Sequence, residues 1–135
     1  MPKLIKAFDR RYRLGIEKLD EEHRKFVELV NRLESSENAV FIELFPQLVN
    51  HIQQHFLTEN ALMAESGYSA IHEHIDEHQR VLDELNRIGE KVSLGSVSMG
   101  RTYVTDHLPN WFEHHAETMD SALASHLKSR GFALA

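Results

Sequence analysis

Residues 71–88 read IHEHIDEHQRVLDELNRI, and this stretch decides the fold. Its apolar residues recur every three or four positions, which is the spacing of an amphipathic helix. His74 and His78 fall on that apolar face, where core side chains would otherwise lie. Residues four apart on a helix have Cβ atoms roughly 5–6 Å apart, so the two imidazoles could bind a common metal ion or two neighbouring ones. The stretch predicts a helix with a metal-binding patch on its buried face.

Three other segments repeat this arrangement, with ionisable side chains on an otherwise apolar helical stripe. They contribute His23 from the first segment, His55 and Glu59 from the second, and His115 and Asp120 from the fourth. Four helices with inward-pointing nitrogen and oxygen ligands can enclose two metal ions. We therefore predict an all-α protein, an antiparallel up-down-up-down four-helix bundle with a di-metal site in its core, as a single domain over residues 1–135.

Turn-forming residues predict where the helices begin and end. Residues 35–38 predict the first turn, Gly67 a helix stop with Ser69 capping the next helix, and the Gly- and Ser-rich residues 93–100 a linker. Gly131 lies just beyond the expected end of the fourth helix. The short connections favour antiparallel neighbours.

Two prolines and one spacing indicate local distortions. Pro46 predicts a kink or a break in the second helix, and Pro109 complicates the fourth, because proline lacks a backbone donor and clashes with the preceding turn. The fourth apolar stripe includes Ala122. His115 and Asp120 are five residues apart, which leaves them about 140° apart on a regular α-helix. If both side chains reach the site, we predict a π-bulge between them.

Composition excludes several classes of function. A chain of 135 residues suffices for one domain with a sizeable core. Its 15 Lys and Arg against 21 Asp and Glu give a net charge of -6 without a basic run, so nucleic acid is not an expected partner. The chain has no cysteine, which excludes disulfides, zinc–thiolate sites and iron–sulfur clusters. Any metal must be held by histidine and carboxylate.

The sequence predicts neither membrane insertion nor export. No segment approaches the roughly eighteen apolar residues of a membrane span, and residues 1–6 lack the long apolar region of a signal peptide. We therefore expect a cytoplasmic protein.

Five histidines and two carboxylates suit Fe, Mn or Zn better than Ca or Mg, which prefer oxygen ligands. A single core histidine is usually a hydrogen-bonded interior residue, but seven such polar residues in register would be costly to bury without an ion. Ferritin-like di-iron enzymes use more glutamates, in Glu-x-x-His motifs that do not occur at these positions. Fewer carboxylates leave less negative charge on the metals, which favours binding a diatomic ligand over activating it.

Other histidines and the aromatic residues have simpler interpretations. His51 fits a partly exposed residue better than a ligand, and His72 lies on the far side of its helix. His114 is a rival to His115, although Trp111, four residues earlier, favours His115. An apolar wall for the site would come from residues that could equally be ordinary core packing: Phe26, Phe56, Trp111 and Phe112.

These residues resemble the hemerythrin family, and more closely its single-domain bacterial members. The resemblance covers most of the chain and is highly specific: Gly15-Ile16, Leu19-Asp20, His23, His55-Phe56-x-x-Glu59, Met63, Tyr68, His74-x-x-x-His78, Trp111, His115 and Asp120. It implies two non-heme iron ions, one held by His74, His78 and His115 and the other by His23 and His55. Glu59 and Asp120 would bridge them together with an oxo or hydroxo oxygen. The iron with fewer histidines would keep a position open for dioxygen.

Three positions depart from the family pattern. Asn60 stands where a second glutamate is frequent, and Glu22 replaces a common glutamine beside His23. Neither is expected to be a ligand. Ala116 stands where a bulky aliphatic residue usually follows the last histidine and helps wall the dioxygen pocket. We therefore predict easier access for water and small anions, and faster oxidation to the diferric form.

The resemblance implies reversible dioxygen binding, for transport, storage or sensing, without turnover of a substrate. The alternative is a di-iron redox enzyme acting on peroxide or nitric oxide, which a wider pocket near Ala116 would favour. Nitric oxide and small anions are further candidate ligands, and the sequence identifies no protein partner. Iron storage is disfavoured because ferritin-type carboxylates are missing.

Overall fold

Four helical segments and no strand make up residues 13–132, the range that the computed structural model describes. The first three helices are α1 (Glu17–Ser35), α2 (Asn38–Ser66) and α3 (Ile71–Ser93). The fourth segment, residues 98–129, is continuous but changes pitch twice: it comprises α4 (Ser98–Thr102), a first π-turn (Tyr103–His107), α5 (Leu108–His115), a second π-turn (Ala116–Asp120) and α6 (Ser121–Ser129).

Short connections arrange these segments as the predicted antiparallel up-down-up-down four-helix bundle. They comprise residues 36–37, 67–70 and 94–97, and connections of this length place consecutive helices side by side. Within the described range, no helix is long and apolar enough to cross a membrane. Residues 1–6, on which the absence of a signal peptide was predicted, lie outside that range.

The core consists of two apolar clusters with a polar layer between them. The larger apolar cluster includes Val30 and Leu33 of α1 with Phe45 and Leu48 of α2, all essentially inaccessible to solvent. The smaller apolar cluster comprises Ile16, Leu19, Met63, Leu123, Ala124 and Leu127. On α1, α2 and the fourth segment, the buried histidines and carboxylates lie in sequence between residues of the two clusters. Apolar packing therefore fixes the helices on both sides of the polar layer.

The glycine stops are confirmed, whereas the predicted cap is wrong. Gly67 ends α2 in the left-handed conformation, with φ 69°, and Gly131 follows the last helix with φ 73°. Glycine adopts this conformation without the steric cost of a Cβ. Ser69 does not cap α3: Ala70 is at the N-cap and makes no side-chain capping bond. The linker predicted over 93–100 is shorter, because α3 extends to Ser93 and α4 begins at Ser98.

For Pro46 the structure excludes one of the two predicted outcomes, a break, and for Ala122 the predicted burial is wrong. Pro46 does not break α2, which is one helix; its side chain is exposed, so the missing backbone bond is on the solvent side. Ala122 is exposed, and Leu123 and Ala124 are buried in its place. The physical reason is the second π-turn, which inserts an extra residue and moves the buried face one position along the chain.

Candidate metal centre

The seven predicted ligand residues are buried and converge on one centre. Their relative exposure is between 0 and 8%. They form two overlapping groups whose ligand atoms lie within 4.8 Å of one another: Glu59, His74, His78, His115 and Asp120 in the first, and His23, His55, Glu59 and Asp120 in the second. The first is called the three-histidine half and the second the two-histidine half. Glu59 and Asp120 belong to both halves, as a pair of bridging carboxylates would.

The inward-facing atoms have the spacing of ligands around a small cation. The Nε2 atom of His78 lies 3.0 Å from Glu59 Oε1, and that of His55 lies 3.1 Å from Glu59 Oε2. The two oxygens of one carboxylate therefore face opposite halves of the centre. His23 Nε2 and His74 Nε2 are each 3.2 Å from Asp120, through Oδ2 and Oδ1 respectively.

The second π-turn places the last two predicted ligands. It spans Ala116–Asp120, between His115 and the end of the turn, where a π-bulge was predicted. As a result His115 Nε2 lies 3.1 Å from Asp120 Oδ1. A regular α-helix would direct these side chains about 140° apart. The π-turn therefore allows two residues five positions apart to contribute to the same site.

Hydrogen bonds on the outer nitrogens orient two of the imidazoles. His55 Nδ1–H donates to Glu22 Oε1 at 2.6 Å, and His78 Nδ1–H donates to Asn60 Oδ1 at 3.0 Å. Because the acceptors require a proton on Nδ1, each ring in its neutral form directs the lone pair of Nε2 into the centre. This is the tautomer that a metal-binding histidine needs.

Aromatic rings fix other imidazoles by packing. Phe56 stacks on His78 with ring centroids 3.8 Å apart and an angle of 8°, and Trp111 stacks on His115 at 4.6 Å and 19°. Phe112 meets the His23 ring edge-on at 5.2 Å. Rings held in this way cannot rotate freely, so the Nε2 atoms remain directed at the centre.

The electrostatics of the metal-free centre are those of ion pairs. Burial alone would lower the pKa of His55, but the Glu59 and Glu22 carboxylates raise it to about 10. Burial likewise opposes the charged form of His74, yet Asp120 and Glu59 raise its pKa to about 9. For His78, burial prevails and the pKa is lowered.

The two shared carboxylates remain ionised despite their burial. Burial would raise the pKa of Glu59, but the charge of His55 and the other imidazoles hold it well below the usual value. Burial and the charge of Glu59 would raise the pKa of Asp120, but His115 and His23 lower it. In the metal-free protein, protonated imidazoles therefore balance the negative charge of the two carboxylates. Bound metal cations could balance the same charge.

The hydrogen bonding of the centre fits a metal. Several fully buried atoms face inward without a hydrogen bond of acceptable geometry: both oxygens of Glu59, Nε2 of His74, His78 and His115, and Oδ1 of Asp120. Buried polar atoms are nearly always hydrogen-bonded, and leaving one unsatisfied costs about 1–3 kcal/mol. Cations that accept several lone pairs would satisfy these atoms, and a nitrogen-rich set with two carboxylates suits borderline metals.

A cavity of about 20 Å³ adjoins the two-histidine half. His23 and His55 line it, together with the shared Asp120 and with His115 of the three-histidine half. The predicted apolar pocket residues also line it: Phe26, Phe56, Trp111 and Phe112. Ala116 is buried in the larger apolar cluster but is not among the lining residues. The volume is that of one water or one diatomic molecule, since a water needs about 10–15 Å³ by this measure.

Three other histidines fall where the sequence placed them. His72 and His114 are exposed, so the structure brings His115 and not its neighbour into the centre. His51 is partly exposed and lies outside both groups; its Nε2–H donates to the backbone carbonyl of Glu22 at 2.8 Å. It also lines the cavity, a contact that the sequence did not indicate.

Comparison with known proteins identifies the family. The model of the hemerythrin HHE cation binding domain matches residues 14–127. The chain belongs to the hemerythrin family. It is 31% identical over 118 residues to a bacteriohemerythrin of Ralstonia nicotianae, covering 87% of this chain and 85% of the relative. A myohemerythrin of Theromyzon tessulatum is 26% identical over 101 residues, covering 75% of this chain and 82% of the relative.

Solved structures agree on the fold. Crystal structures of hemerythrin point mutants superpose with a TM-score of 0.85 at 18% identity, and the match covers 93% of this chain and 98% of theirs. At that identity the likeness establishes the four-helix hemerythrin fold alone. The family accounts for a buried His, Glu and Asp cluster that could hold metal in this bundle.

Glu22 and Asn60 are the residues of this hemerythrin domain that sequence reasoning underestimated. Both were noted only as departures from the family pattern, yet they are the hydrogen-bond acceptors for His55 and His78. The one available indication was that Glu22 adjoins His23 and Asn60 adjoins Glu59. Adjacency to a ligand does not say which neighbouring helix a side chain will meet.

Proposed function

We propose that this hemerythrin domain holds two iron ions and binds dioxygen reversibly beside them. The observation that supports this most directly is the pair of overlapping His and carboxylate groups next to a diatomic-sized cavity. His74, His78 and His115 would hold one ion and His23 and His55 the other, with Glu59 and Asp120 shared. When bound, ferrous iron supplies the electrons that dioxygen takes up on binding.

The position of the cavity supports ligand entry at the two-histidine half. Both histidines of the two-histidine half, His23 and His55, line the cavity, whereas of the three-histidine half only His115 lines it. A half with only two imidazoles has fewer protein ligands to fill the coordination shell of its ion, so a small molecule in the cavity could add to it. Phe26 and Phe112 pack with ring centroids 4.6 Å apart on the cavity wall and would exclude bulk water.

The small volume supports binding over oxidation of an organic substrate. A cavity of about 20 Å³ has no room for a molecule of many atoms. Peroxide and nitric oxide are small enough to enter, so turnover with either of them is the alternative function to be tested. Nitric oxide and small anions are also proposed as ligands. Transport, storage and sensing share the same binding step, and the cytoplasmic location stays a prediction.

The deciding experiment is the visible spectrum of reduced, iron-loaded protein before oxygen, after oxygen and after flushing with argon. Reversible binding predicts a charge-transfer band that appears with oxygen and disappears on flushing, with the reduced state recovered. Immediate irreversible conversion to a diferric spectrum, or steady turnover with peroxide or nitric oxide, would contradict a binding function. No spectral change would contradict the iron assignment itself.

A matched pair of adjacent histidines tests the assignment of the centre. We expect His115→Ala to lose one of two bound iron ions, because His115 is buried with Nε2 at the centre. His114→Ala removes an identical side chain from the exposed neighbouring position and should keep both ions. Iron stoichiometry after desalting measures the difference, and equal iron loss from the two variants would refute the assignment.

A further inference from the structure

The two hydrogen bonds behind the imidazoles differ in charge. His55 donates to a carboxylate, Glu22 Oε1, at 2.6 Å, whereas His78 donates to the neutral amide oxygen of Asn60 at 3.0 Å. The outer Nδ1 atoms of His23, His74 and His115 have no hydrogen-bond partner. Among the five imidazoles of the centre, all within the described residues, His55 alone therefore has an anionic acceptor at its outer nitrogen, Nδ1. It belongs to the two-histidine half.

Glu22 is placed to act on His55 as a fixed negative charge. Its side chain is only 14% exposed, and Lys18 Nζ lies 3.3 Å from the other carboxylate oxygen, Oε2. A hydrogen bond to a carboxylate is shorter and stronger than one to a neutral group, as the 2.6 Å distance reflects. A carboxylate behind a metal-binding imidazole fixes the ring and makes the inner nitrogen a better donor.

We propose that Glu22 is a positioning residue that sets the affinity of the two-histidine half for its metal ion. That half has one imidazole fewer than the other. The negative charge of Glu22, transmitted through the His55 ring, offsets the missing ligand. The inference rests on the proposed function, since it requires that the centre holds two ions.

Lys18 opposes this effect. Its ammonium lies within ion-pair distance of Glu22, 64% exposed and one helical turn before it. A cation there draws negative charge away from the oxygen that His55 contacts. Because an exposed ion pair is weak, removing the lysine should have a smaller effect than removing the carboxylate, and of opposite sign.

The test is anaerobic titration with Fe²⁺ in competition with a coloured chelator, which resolves the affinities of the two ions. Glu22→Gln keeps the shape and an acceptor oxygen but removes the charge. We expect it to weaken Fe²⁺ binding at the two-histidine half by about 10–100-fold. The Fe²⁺ affinity of the three-histidine half should not change. Lys18→Gln should strengthen Fe²⁺ binding at the two-histidine half by a smaller factor.

Glu21→Gln is the matched control. Glu21 precedes Glu22 on the same helix, is 57% exposed, and pairs with Lys25 at 3.4 Å. Its substitution removes an equal charge from the solvent side of α1, so neither affinity should change. If Glu21→Gln and Glu22→Gln have the same effect, net charge explains the result and the inference is overturned.

Nuclear magnetic resonance of the metal-free protein gives a readout independent of iron. The Nδ1 proton of His55 should resonate far downfield in the wild type and move upfield in Glu22→Gln as the charge-assisted bond weakens. Two ions in the wild type with unchanged affinities in Glu22→Gln would overturn this inference alone. Fewer than two ions in the wild type would overturn the proposed function and this inference together. If Glu22→Gln weakens Fe²⁺ binding equally at both halves, Glu22 has a general structural role and the inference is overturned.

Discussion

The two π-turns of the fourth helical segment arise for different reasons. The second, Ala116–Asp120, brings Asp120 Oδ1 within 3.1 Å of His115 Nε2. It was predictable, because two candidate ligands five residues apart cannot share a site on a regular α-helix. The distortion therefore follows from the chemistry of the centre.

The first π-turn, Tyr103–His107, contributes no residue to the centre. It ends just before Leu108 and Pro109, where α5 begins. Proline has no N–H for the carbonyl four residues earlier, that of Thr105, and its ring clashes with that carbonyl. A wider turn moves the carbonyl away. Similar π-turns can thus either bring ligands together at a binding site or accommodate a proline ring. Only the surrounding residues show which of the two causes applies.

Shortening each π-turn by one residue should separate the two roles and gives the largest expected effect. Deleting the exposed Thr118 closes the second turn and rotates Asp120 relative to His115 by about 100°. We expect loss of iron binding and of the packing of Leu123 in the smaller apolar cluster. Deleting the exposed Thr105 closes the first turn but leaves residues 108–120 intact.

The Thr105 deletion should therefore lose stability while still binding two iron ions. Anaerobic Fe²⁺ titration and circular dichroism measure the two properties separately. If both deletions abolish iron binding while remaining helical, the functional distinction between the two π-turns is wrong.

Metal binding should change how the free energy of unfolding depends on pH. We expect this effect to be smaller than that of the deletions. In the metal-free protein, the raised pKa values of His55 and His74, about 10 and 9, stabilise the fold fully below their ordinary value of 6.5. That stabilisation is lost as pH rises through about 9–10. The lowered pKa values of Glu59 and Asp120 add stability above their ordinary values of 4.5 and 3.8, which is lost at lower pH.

The lowered pKa of His78 has the opposite sign and costs stability as pH falls below 6.5. The metal-free protein should therefore be most stable at about pH 6.5. Bound metal requires unprotonated imidazoles, so the metal-loaded protein should instead gain stability towards pH 8. Free ion at 100 times its dissociation constant adds about 2.7 kcal/mol. Urea unfolding with and without Fe²⁺, under nitrogen, measures both profiles, and His72→Gln on the surface is the control. Metal-free stability that rises from pH 6.5 to 9 would contradict this prediction.

Ala116 allows the smallest of these effects to be tested. It follows His115, begins the second π-turn and is 1% exposed. Ala116 does not line the cavity but adjoins His115, which does. We expect Ala116→Ile to slow oxidation to the diferric form several-fold, because added bulk behind the cavity wall would narrow access to the centre. Ala122→Ile adds the same bulk at an exposed position of the same segment. The decay of the oxygenated spectrum measures the rates, and an unchanged rate in Ala116→Ile would show that Ala116 does not control access.

Much of the bundle was predictable because helical periodicity is a local property. The stripes placed His23, His55 and His78 on buried faces, and all three are buried. Gly67 was identified as a stop from its conformational freedom alone. The prediction for Ala122 is wrong because it assumes a regular α-helix after Asp120, whereas the π-turn at Ala116–Asp120 shifts the buried face by one residue from there on.

By itself, the sequence determined which side chains face the interior, because the period of a helix relates each residue to its neighbours in the chain. Only the tertiary structure decided which groups meet across helices. Glu22 and His55 are 33 residues apart, and their contact depends on the rotation and register of α1 against α2. The apolar stripes leave that register open within a residue or two, whereas a hydrogen bond of 2.6 Å requires one specific packing.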